Sequence, residues 1–210
     1  MTVYLNKLKR LADNPMIGPV AKALIKYLAN KNSIKIASHF SMFLAPVIAK
    51  SVNAQNEAYR IRHQVYCEEL NFEPIKDDRL EVDEFDQHSL HCLIIHKQSQ
   101  AFAGTVRVVT SSSDEEMLPI EKYCLDSIDH AELHPNNFRR EQICEISRLA
   151  VPAEFRRRKS DKVEGAATGV IDQSIYSEEE LRCFPFIAVG LYLSAASVLI
   201  ENGLVHCFVM

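Results

Sequence analysis

The sequence lacks most of the short motifs that mark a metal or cofactor site. Its six cysteines include no C-x-x-C pair and no histidine-rich spacing, so buried free thiols are expected, which suits a reducing cytoplasm. Its six glycines form no glycine-rich phosphate loop, and no G-x-S-x-G motif is present. These absences disfavour a site for a free nucleotide pyrophosphate and a serine nucleophile of the hydrolase type.

Signals for nucleic-acid binding and for secretion are also missing. The formal net charge of −4 argues against a general nucleic-acid binder, and the N-terminus has no ordered basic, apolar and small-residue regions. The uncharged run from Cys183 to Ile200 reaches the lower length limit of a membrane span. It contains Pro185 and Gly190 and lies between strand-like runs, which favours a buried helix crossing one face of a sheet. We therefore expect a cytoplasmic globular protein.

The length of 210 residues predicts one domain with an appendage. Residues 1–40 are predicted to form an N-terminal helical appendage, because Leu5, Leu8 and Leu11 recur at helical spacing with basic residues between them. This amphipathic segment either packs on the domain or on a partner, or makes a peripheral membrane contact through residues 1–30. Residues 41–210 form the main domain.

The main domain reads as a strand, a helix, an antiparallel hairpin, a strand, a helix and a strand. Pro46 confines the first strand to a sheet edge, and Asn53 is a plausible cap for the first helix. The order predicts an α/β (α+β) fold with a mixed, mostly antiparallel sheet and helices on both faces. The predicted elements are Met42–Ala49, Asn53–Leu70, His91–His96, Ala101–Thr110, Ile120–Cys124, Ile143–Val151, Leu181–Asn202 and Leu204–Met210.

Charged residues recur where the chain is otherwise apolar. The run Leu80–Asp86 holds four carboxylates and leads directly into a strand. Taken alone it reads as a solvated acidic loop, and it lacks the glycine-bearing pattern of a calcium loop, so no metal is predicted. Arg107 interrupts the next strand, and Glu145 and Arg148 interrupt the one after. Because burying an unpaired charge costs several kcal/mol, these residues and the acidic run are predicted to form one polar cluster.

Glu145 and Arg148 are three residues apart, which in a regular strand places them on opposite faces. A β-bulge would bring both into one cleft. There Glu145 could take a proton from an attacking amine, and Arg148 could hold a carboxylate or orient Glu145.

A basic run follows this strand, formed by Arg156, Arg157, Arg158 and Lys159. It reads either as a solvated face or as a docking site for a phosphate or an acidic protein.

Four blocks of sequence, in order, carry a resemblance to a known group of enzymes. They are Tyr59–Phe72 (YRIRHQVYCEELNF), Glu81–Asp86 (EVDEFD), Gly104–Arg107 (GTVR) and Glu145–Arg148 (EISR). This set resembles acyl-homoserine-lactone synthases of the LuxI type. It resembles still more the long-chain N-acyl amino acid synthases and the acyltransferases associated with the exosortase (PEP-CTERM) system. The resemblance covers roughly residues 43–210.

The resemblance implies the fold and reaction of a bacterial GNAT-type N-acyltransferase. In this fold two central strands, here Ile143–Val151 and Leu204–Met210, splay apart to seat a pantetheine arm. No cofactor is expected to be bound, because the donor would be the acyl-phosphopantetheine of acyl carrier protein. The other substrate would be a small amine such as an amino acid. Carrier proteins are acidic, which gives the basic run a rationale as their docking site.

The resemblance also assigns residues to roles. Glu145 or Glu81 would act as the base, with Arg107 and Arg148 orienting carboxylates. The residues expected near the acceptor are Arg62, Tyr66, Phe72, Asp83 and Asp86.

Two departures from the lactone synthases bear on the substrate and on the extent of the chain. Tyr66 stands where those synthases have phenylalanine, and Phe72 where they have tryptophan, which disfavours S-adenosylmethionine as acceptor. Members of the group continue past the position of Met210, so the domain is expected to lack C-terminal strands. Synthesis of an acyl-homoserine-lactone signal and non-enzymatic acyl binding remain the two alternatives.

Overall fold

The computed structural model describes residues 22, 26, 34–156 and 176–209. The chain divides into two compact units, Met1–Met42 and Phe43–Met210. In the first unit, residues 22, 26 and 34–42 are helical. The rest of the predicted N-terminal appendage lies outside the described residues, so its amphipathic helices stay a prediction.

The second unit is built on a five-stranded sheet with the strand order β1-β2-β3-β4-β5. The first three neighbouring pairs are antiparallel, whereas β4 and β5 are parallel. This confirms the predicted mixed, mostly antiparallel sheet and the hairpin between its second and third strands. The strands are β1 Leu44–Ile48, β2 Ser89–His96, β3 Phe102–Thr110, β4 Ile143–Ala150 and β5 His206–Val209.

Within the described part of this unit the α-helices are α1 Val52–Arg62, α2 Pro119–Cys124, α3 Glu178–Leu181 and α4 Ile187–Glu201. Ser51 caps α1, because its side chain accepts a hydrogen bond from the Ala54 amide at 3.2 Å, so the cap predicted at Asn53 was two residues late. Beyond α1 the chain continues as a π-helix, His63–Glu69. Such π-helical turns are rare and are frequent at functional sites.

Helices cover both faces of the sheet. Ala58, Ile61 and Val65 pack with Leu93 and Ala150 on one face, as their predicted common helical face requires. Gly104 points to the other face, where α4 lies. A Cβ atom at Gly104 would approach the Ala150 carbonyl oxygen to 3.0 Å and Leu191 Cδ1 to 3.1 Å, so a side chain here would force these neighbours to shift by a few tenths of an ångström.

The run Cys183–Ile200 forms the predicted helix across one face of the sheet, but the prediction that this helix is buried holds for only one side of α4. Leu191 and Ala195 are fully buried against the sheet, whereas Leu193 and Ile200 are 65% and 80% exposed. The uncharged composition hid this division because both sides of the helix are apolar. Within the described residues, Glu178–Glu201 is the one helical stretch long and apolar enough to cross a membrane.

The parallel pair β4–β5 sits beside the charged residues of β4. Its ladder runs from Ile143 opposite His206 to Ile146 opposite Val209, and β4 continues to Ala150. The splay of these strands stays a prediction, since residue 210 lies outside the described residues.

Candidate active site

Arg62, the last residue of α1, is the centre of a buried charged cluster. Its Nη1 and Nη2 atoms donate to Asp86 Oδ1 and Oδ2 at 2.6 and 3.0 Å, and its Nε donates to Glu81. The side chain is 0% exposed, and each of its three nitrogens has a carboxylate partner. Arg62 therefore fixes the acidic run to the helix and does not itself reach the surface.

The acidic run folds into a short 3-10 helix, Glu84–His88, that buries Asp86 and leaves Glu84 at the surface. Asp83 accepts a hydrogen bond from the Phe85 amide at 3.0 Å, and Asp86 accepts one from the Asp83 amide at 2.8 Å. This reciprocal capping box holds both aspartates in place. Phe85 is buried, whereas Val82 is 41% exposed, so of these two apolar residues only Phe85 belongs to the core.

Arg107 links β3 to the same cluster. Its Nη1 lies 2.5 Å from Asp83 Oδ1 and 3.0 Å from Asp86 Oδ1, and its Nε donates to Ser147 Oγ at 3.2 Å. Burial alone would raise the pKa of Asp86, but hydrogen bonding and charge from Arg62, together with the charge of Arg107, lower that pKa to about 2. Asp86 is thus ionised at neutral pH and serves as an anchor.

Arg148 enters the cluster through a β-bulge. Thr105 pairs with Ala150 and Arg107 pairs with Ser147, so β4 carries one more residue than β3 over this step. Arg148 takes the left-handed backbone conformation, with φ of 53°. The bulge that would bring Arg148 and Glu145 toward one side of β4 is therefore present.

The Arg148 guanidinium reaches the edge of the cluster. Its Nη2 lies 3.2 Å from Glu73 Oε1 and 3.5 Å from Asp83 Oδ2, and its Nε lies 3.3 Å from Glu81 Oε1 without hydrogen-bonding geometry. The side chain is 27% exposed, compared with 0% for Arg62 and 2% for Arg107. Of these three arginines, Arg148 is the one that an incoming substrate can touch.

Glu145 is buried on β4 and only half satisfied. Its Oε2 accepts a hydrogen bond from the Ile120 amide of α2 at 2.7 Å, whereas its buried Oε1 has no hydrogen-bond partner. Burial raises the pKa of Glu145 to about 7, against the lowering effects of the Ile120 amide and the charges of Arg107 and Arg148. A carboxyl group that titrates near neutral pH suits a general base.

Glu81, the other candidate base, has a different environment. One oxygen accepts from Arg62 Nε, and the other lies 3.3 Å from Arg148 Nε. A base must receive a proton on a free lone pair, and both oxygens of Glu81 already face guanidinium groups. The geometry therefore favours Glu145 over Glu81 as the base.

Three other predicted site residues have structural surroundings of their own, and their substrate-binding and docking roles stay predictions. Tyr66 donates its hydroxyl to the Leu149 carbonyl at 2.8 Å, so its polar end is used inside the protein. Phe72 is 72% exposed at the surface. Arg156 bonds Glu69 and donates to the Val151 carbonyl at 2.6 Å. It therefore holds the end of β4, whereas Arg157, Arg158 and Lys159 lie outside the described residues.

The sequence reasoning missed His91 and Glu73. His91 lies opposite Arg107 in the sheet, and its Nε2 is 3.6 Å from Asp86 Oδ1. Burial lowers the pKa of His91 to about 4 despite the nearby Asp86 charge, so the imidazole is neutral at pH 7. The predicted hairpin, which places His91 near Arg107, was the available signal for His91. Glu73 follows Phe72 in a loop and gave no signal.

Comparisons with known proteins identify the domain type. Residues 61–164 match the family model described as an acetyltransferase (GNAT) domain. The crystal structure of the AHL synthase LasI is 16% identical with a TM-score of 0.46, covering 77% of this chain and 68% of that one. The structure of TofI in a ternary complex with an inhibitor and MTA is also 16% identical, with a TM-score of 0.44, covering 76% and 67%. A search of curated proteins found no match.

The matched residues begin at Ile61 in α1, span the acidic run and strands β2 to β4, and so include the whole charged cluster. The sheet they contribute to has the mixed, mostly antiparallel pairing predicted for this fold. By sequence, residues 61–164 are therefore similar to the acetyltransferase domain of the GNAT type.

Proposed function

We propose that this protein is an N-acyltransferase that moves a fatty acyl group from acyl carrier protein to the amine of a small acceptor such as an amino acid. The observation that carries the proposal is Glu145. This buried carboxyl has one unpartnered oxygen and a pKa of about 7, beside a rigid cluster of arginines and carboxylates. Perturbed carboxyl groups of this kind concentrate at catalytic sites.

The reaction needs a base because an amine attacks only when its nitrogen lone pair is free. The amine nitrogen adds to the thioester carbon, and Glu145 accepts the proton that the nitrogen loses, directly or through one water. Collapse of the tetrahedral intermediate breaks the carbon–sulfur bond and releases the pantetheine thiol. A base with a pKa near 7 is ionised in about half of the molecules at neutral pH, which suits both proton uptake and return.

The charged cluster would supply orientation. Arg62 and Arg107 are buried and already paired with carboxylates of the acidic run, so they fix the position of that run. Arg148 reaches solvent, and its partner Glu73 is 38% exposed. An acceptor carboxylate would bind Arg148 by displacing Glu73, which costs little because ion pairs at the surface contribute about 1 kcal/mol or less.

The acyl donor and its docking site follow from the motif resemblance. Arg156 is held by Glu69 and the Val151 carbonyl, so the proposed docking of acyl carrier protein falls to Arg157, Arg158 and Lys159. No resident cofactor takes part in this scheme. A cytoplasmic location, a role beside an exosortase (PEP-CTERM) system and peripheral membrane contact through residues 1–30 belong to the same proposal.

A reconstituted assay tests the function. Purified protein is incubated with acyl carrier proteins bearing long acyl chains and with a panel of amino acids and other small amines, and products are identified by mass spectrometry. We expect N-acyl products from the wild type and a loss of about a hundredfold or more with Glu145→Gln. Glu141→Gln is the matched control, since Glu141 is exposed and lies before the same strand.

Each alternative has its own outcome in this assay. Formation of acyl-homoserine lactone from S-adenosylmethionine would show that the acceptor is S-adenosylmethionine and that the protein is a signal synthase. Acyl carrier protein binding without any transfer, unchanged by Glu145→Gln, would show a non-enzymatic acyl-binding protein.

A further inference from the structure

Tyr66 contacts the protein at both ends of the Arg148–Glu73 ion pair. Its hydroxyl donates to the carbonyl of Leu149, the residue after Arg148, at 2.8 Å. Its backbone carbonyl accepts hydrogen bonds from the amides of Phe72 at 2.8 Å and Glu73 at 3.2 Å. The Glu73 carboxylate in turn lies 3.2 Å from Arg148 Nη2. Tyr66 thus hydrogen-bonds the backbone next to Arg148 and the backbone of Glu73, the two residues of the ion pair.

The local backbone explains why such support is needed. Arg148 has a φ of 53°, a conformation that costs a non-glycine residue about 1–2 kcal/mol. Such a residue keeps this geometry only where its surroundings fix it. The guanidinium carbon of Arg148 also lies 5.5 Å from the centre of the Tyr66 ring, within cation–π range. The phenol therefore contacts the Arg148 side chain with its ring and the bulge with its hydroxyl.

We propose that Tyr66 is a positioning residue that holds Arg148 in its left-handed bulge for recognition of the acceptor. This rests on the proposed function, in which Arg148 meets the acceptor at the edge of the cluster. Because the hydroxyl is donated to the Leu149 carbonyl, this role differs from direct contact with substrate.

Tyr66→Phe removes only the hydroxyl and leaves the ring under Arg148. We expect KM for the acceptor to rise roughly threefold to tenfold, the effect of one lost hydrogen bond, while kcat and KM for the acyl donor change less than about twofold. Tyr123→Phe is the control, because Tyr123 is 62% exposed and lies outside the cluster. A purely structural role would lower the unfolding temperature and leave acceptor KM unchanged, which would overturn the proposal.

Hydrogen exchange on the substrate-free protein separates this proposal from the proposed function. In Tyr66→Phe, peptides covering Arg148–Ala150 should exchange faster than in the wild type, whereas Tyr123→Phe should match the wild type. Unchanged exchange in Tyr66→Phe contradicts the positioning role whatever the activity. If Tyr66→Phe exchanges faster but the wild type transfers no acyl group, the positioning of Arg148 is supported and only the proposed reaction is contradicted.

A second, independent observation concerns Cys144 and Cys207. They lie directly opposite each other in the parallel β4–β5 ladder, where the Cys144 thiol donates to the His206 carbonyl at 3.6 Å and the Cys207 thiol donates to the Phe208 carbonyl at 3.4 Å. Neighbouring strands lie about 4.8 Å apart, which falls within the Cα separation of about 4.4–6.8 Å that a disulfide spans. Cys144 is buried, whereas Cys207 is exposed.

We infer that Cys144 and Cys207 form a disulfide on exposure to a hydroperoxide. The Cys207 thiolate attacks the peroxide oxygen; the S–O bond forms, the O–O bond breaks and hydroxide leaves. The Cys144 sulfur then displaces the oxygen of the Cys207 sulfenic acid as water, forming the S–S bond. The peroxide takes up the two electrons that the two thiols lose. The bond would tie β5 to β4 next to Glu145.

The neighbouring Cys144 thiol favours the first step, because it lowers the pKa of Cys207 and so increases its thiolate fraction. Intact mass after mild peroxide treatment should fall by about 2 Da, and a dithiol reductant should restore it. Peptide mapping should locate the bond at Cys144–Cys207. Cys207→Ser, at an exposed position, should keep its mass apart from oxidation elsewhere. Cys207 recovered only as sulfinic acid, or a bond between other cysteines, would refute the pair.

Discussion

Arg62 and Asp86 are joined by two parallel hydrogen bonds of 2.6 and 3.0 Å in the interior of the domain. Asp86 Oδ1 also accepts from Arg107 at 3.0 Å, so one carboxylate ties α1 and β3 to the acidic run. The attraction between buried charges offsets the cost of removing them from water only when the remaining donors are also hydrogen-bonded. Here the remaining donor, Arg62 Nε, bonds Glu81. The Arg62–Asp86 pair therefore holds the elements of the site together.

Asp86→Asn should destabilise the protein by about 3 kcal/mol or more. The amide keeps the shape of the carboxylate but leaves two buried guanidinium groups facing a neutral partner, and breaking a buried pair is costly. Glu84→Gln in the same 3-10 helix is the control, because Glu84 pairs at the surface with Lys122 and should change stability by under about 1 kcal/mol. Urea unfolding of both variants measures the difference. Equal effects would mean that the network contributes no more than a surface pair.

Activity should rise with pH through about 7, because Glu145 acts as a base only when ionised. The rate constant kcat/KM, measured from pH 5.5 to 8.5 with an acceptor whose own ionisation is corrected for, should follow one ionisation near that value. Glu145→Asp moves the carboxylate back by one methylene and should lower the plateau of the profile. A flat profile, or one governed by a group near pH 4, would remove Glu145 from the base role.

Glu145→Gln should make the folded state more stable relative to the wild type as pH rises. The folded pKa of about 7 lies above the usual pKa of about 4.3 for an unfolded glutamate, so the folded state holds the proton more tightly. The wild type therefore loses stability between pH 4.3 and 7, by on the order of 3 kcal/mol, and glutamine has no proton to lose. Chemical unfolding at pH 5 and pH 8 gives the comparison. A stability difference between variant and wild type that does not change with pH would contradict the raised pKa.

The polar cluster was predictable because its members interrupt apolar strands. A buried arginine needs a carboxylate, and the acidic run offered several, so a contact between Arg107 and this run could be predicted from sequence, although not that Asp86 would be a partner. The hydrogen-bond partner of Glu145 could not be predicted from the sequence. The Ile120 amide that holds it belongs to a backbone segment 25 residues away, and backbone groups carry no sequence signal.

The limits of the sequence also show in α4 and Arg156. Composition marks α4 as apolar but does not say which residues meet the sheet, because that depends on the helix's rotation about its axis. Arg156 looked like part of a basic surface run, yet it turns inward to Glu69, 87 residues earlier in the chain. Contacts across such separations are set by tertiary packing and escape local patterns.

Replacing Arg148 by glycine and by alanine separates backbone strain from side-chain contacts. Both variants lose the guanidinium and its ion pairs, but only glycine adopts a φ of 53° freely. Arg148→Gly should therefore be more stable than Arg148→Ala by about 1 kcal/mol, while both lose acceptor recognition equally. Thermal unfolding of the two variants checks this order. Equal stability would mean that the bulge relaxes once the arginine is gone.

The two sides of α4 should respond very differently to the same substitution. Leu191 is fully buried against β3, where its side chain approaches Gly104, so Leu191→Ala should destabilise by about 2–5 kcal/mol. Leu193, two residues later, is 65% exposed, and Leu193→Ala should change stability by under about 1 kcal/mol. The pair is matched in chemistry and in helix position, so the difference reports burial alone. If Leu193→Ala proves as costly as Leu191→Ala in urea unfolding, the outer side of α4 is covered in solution.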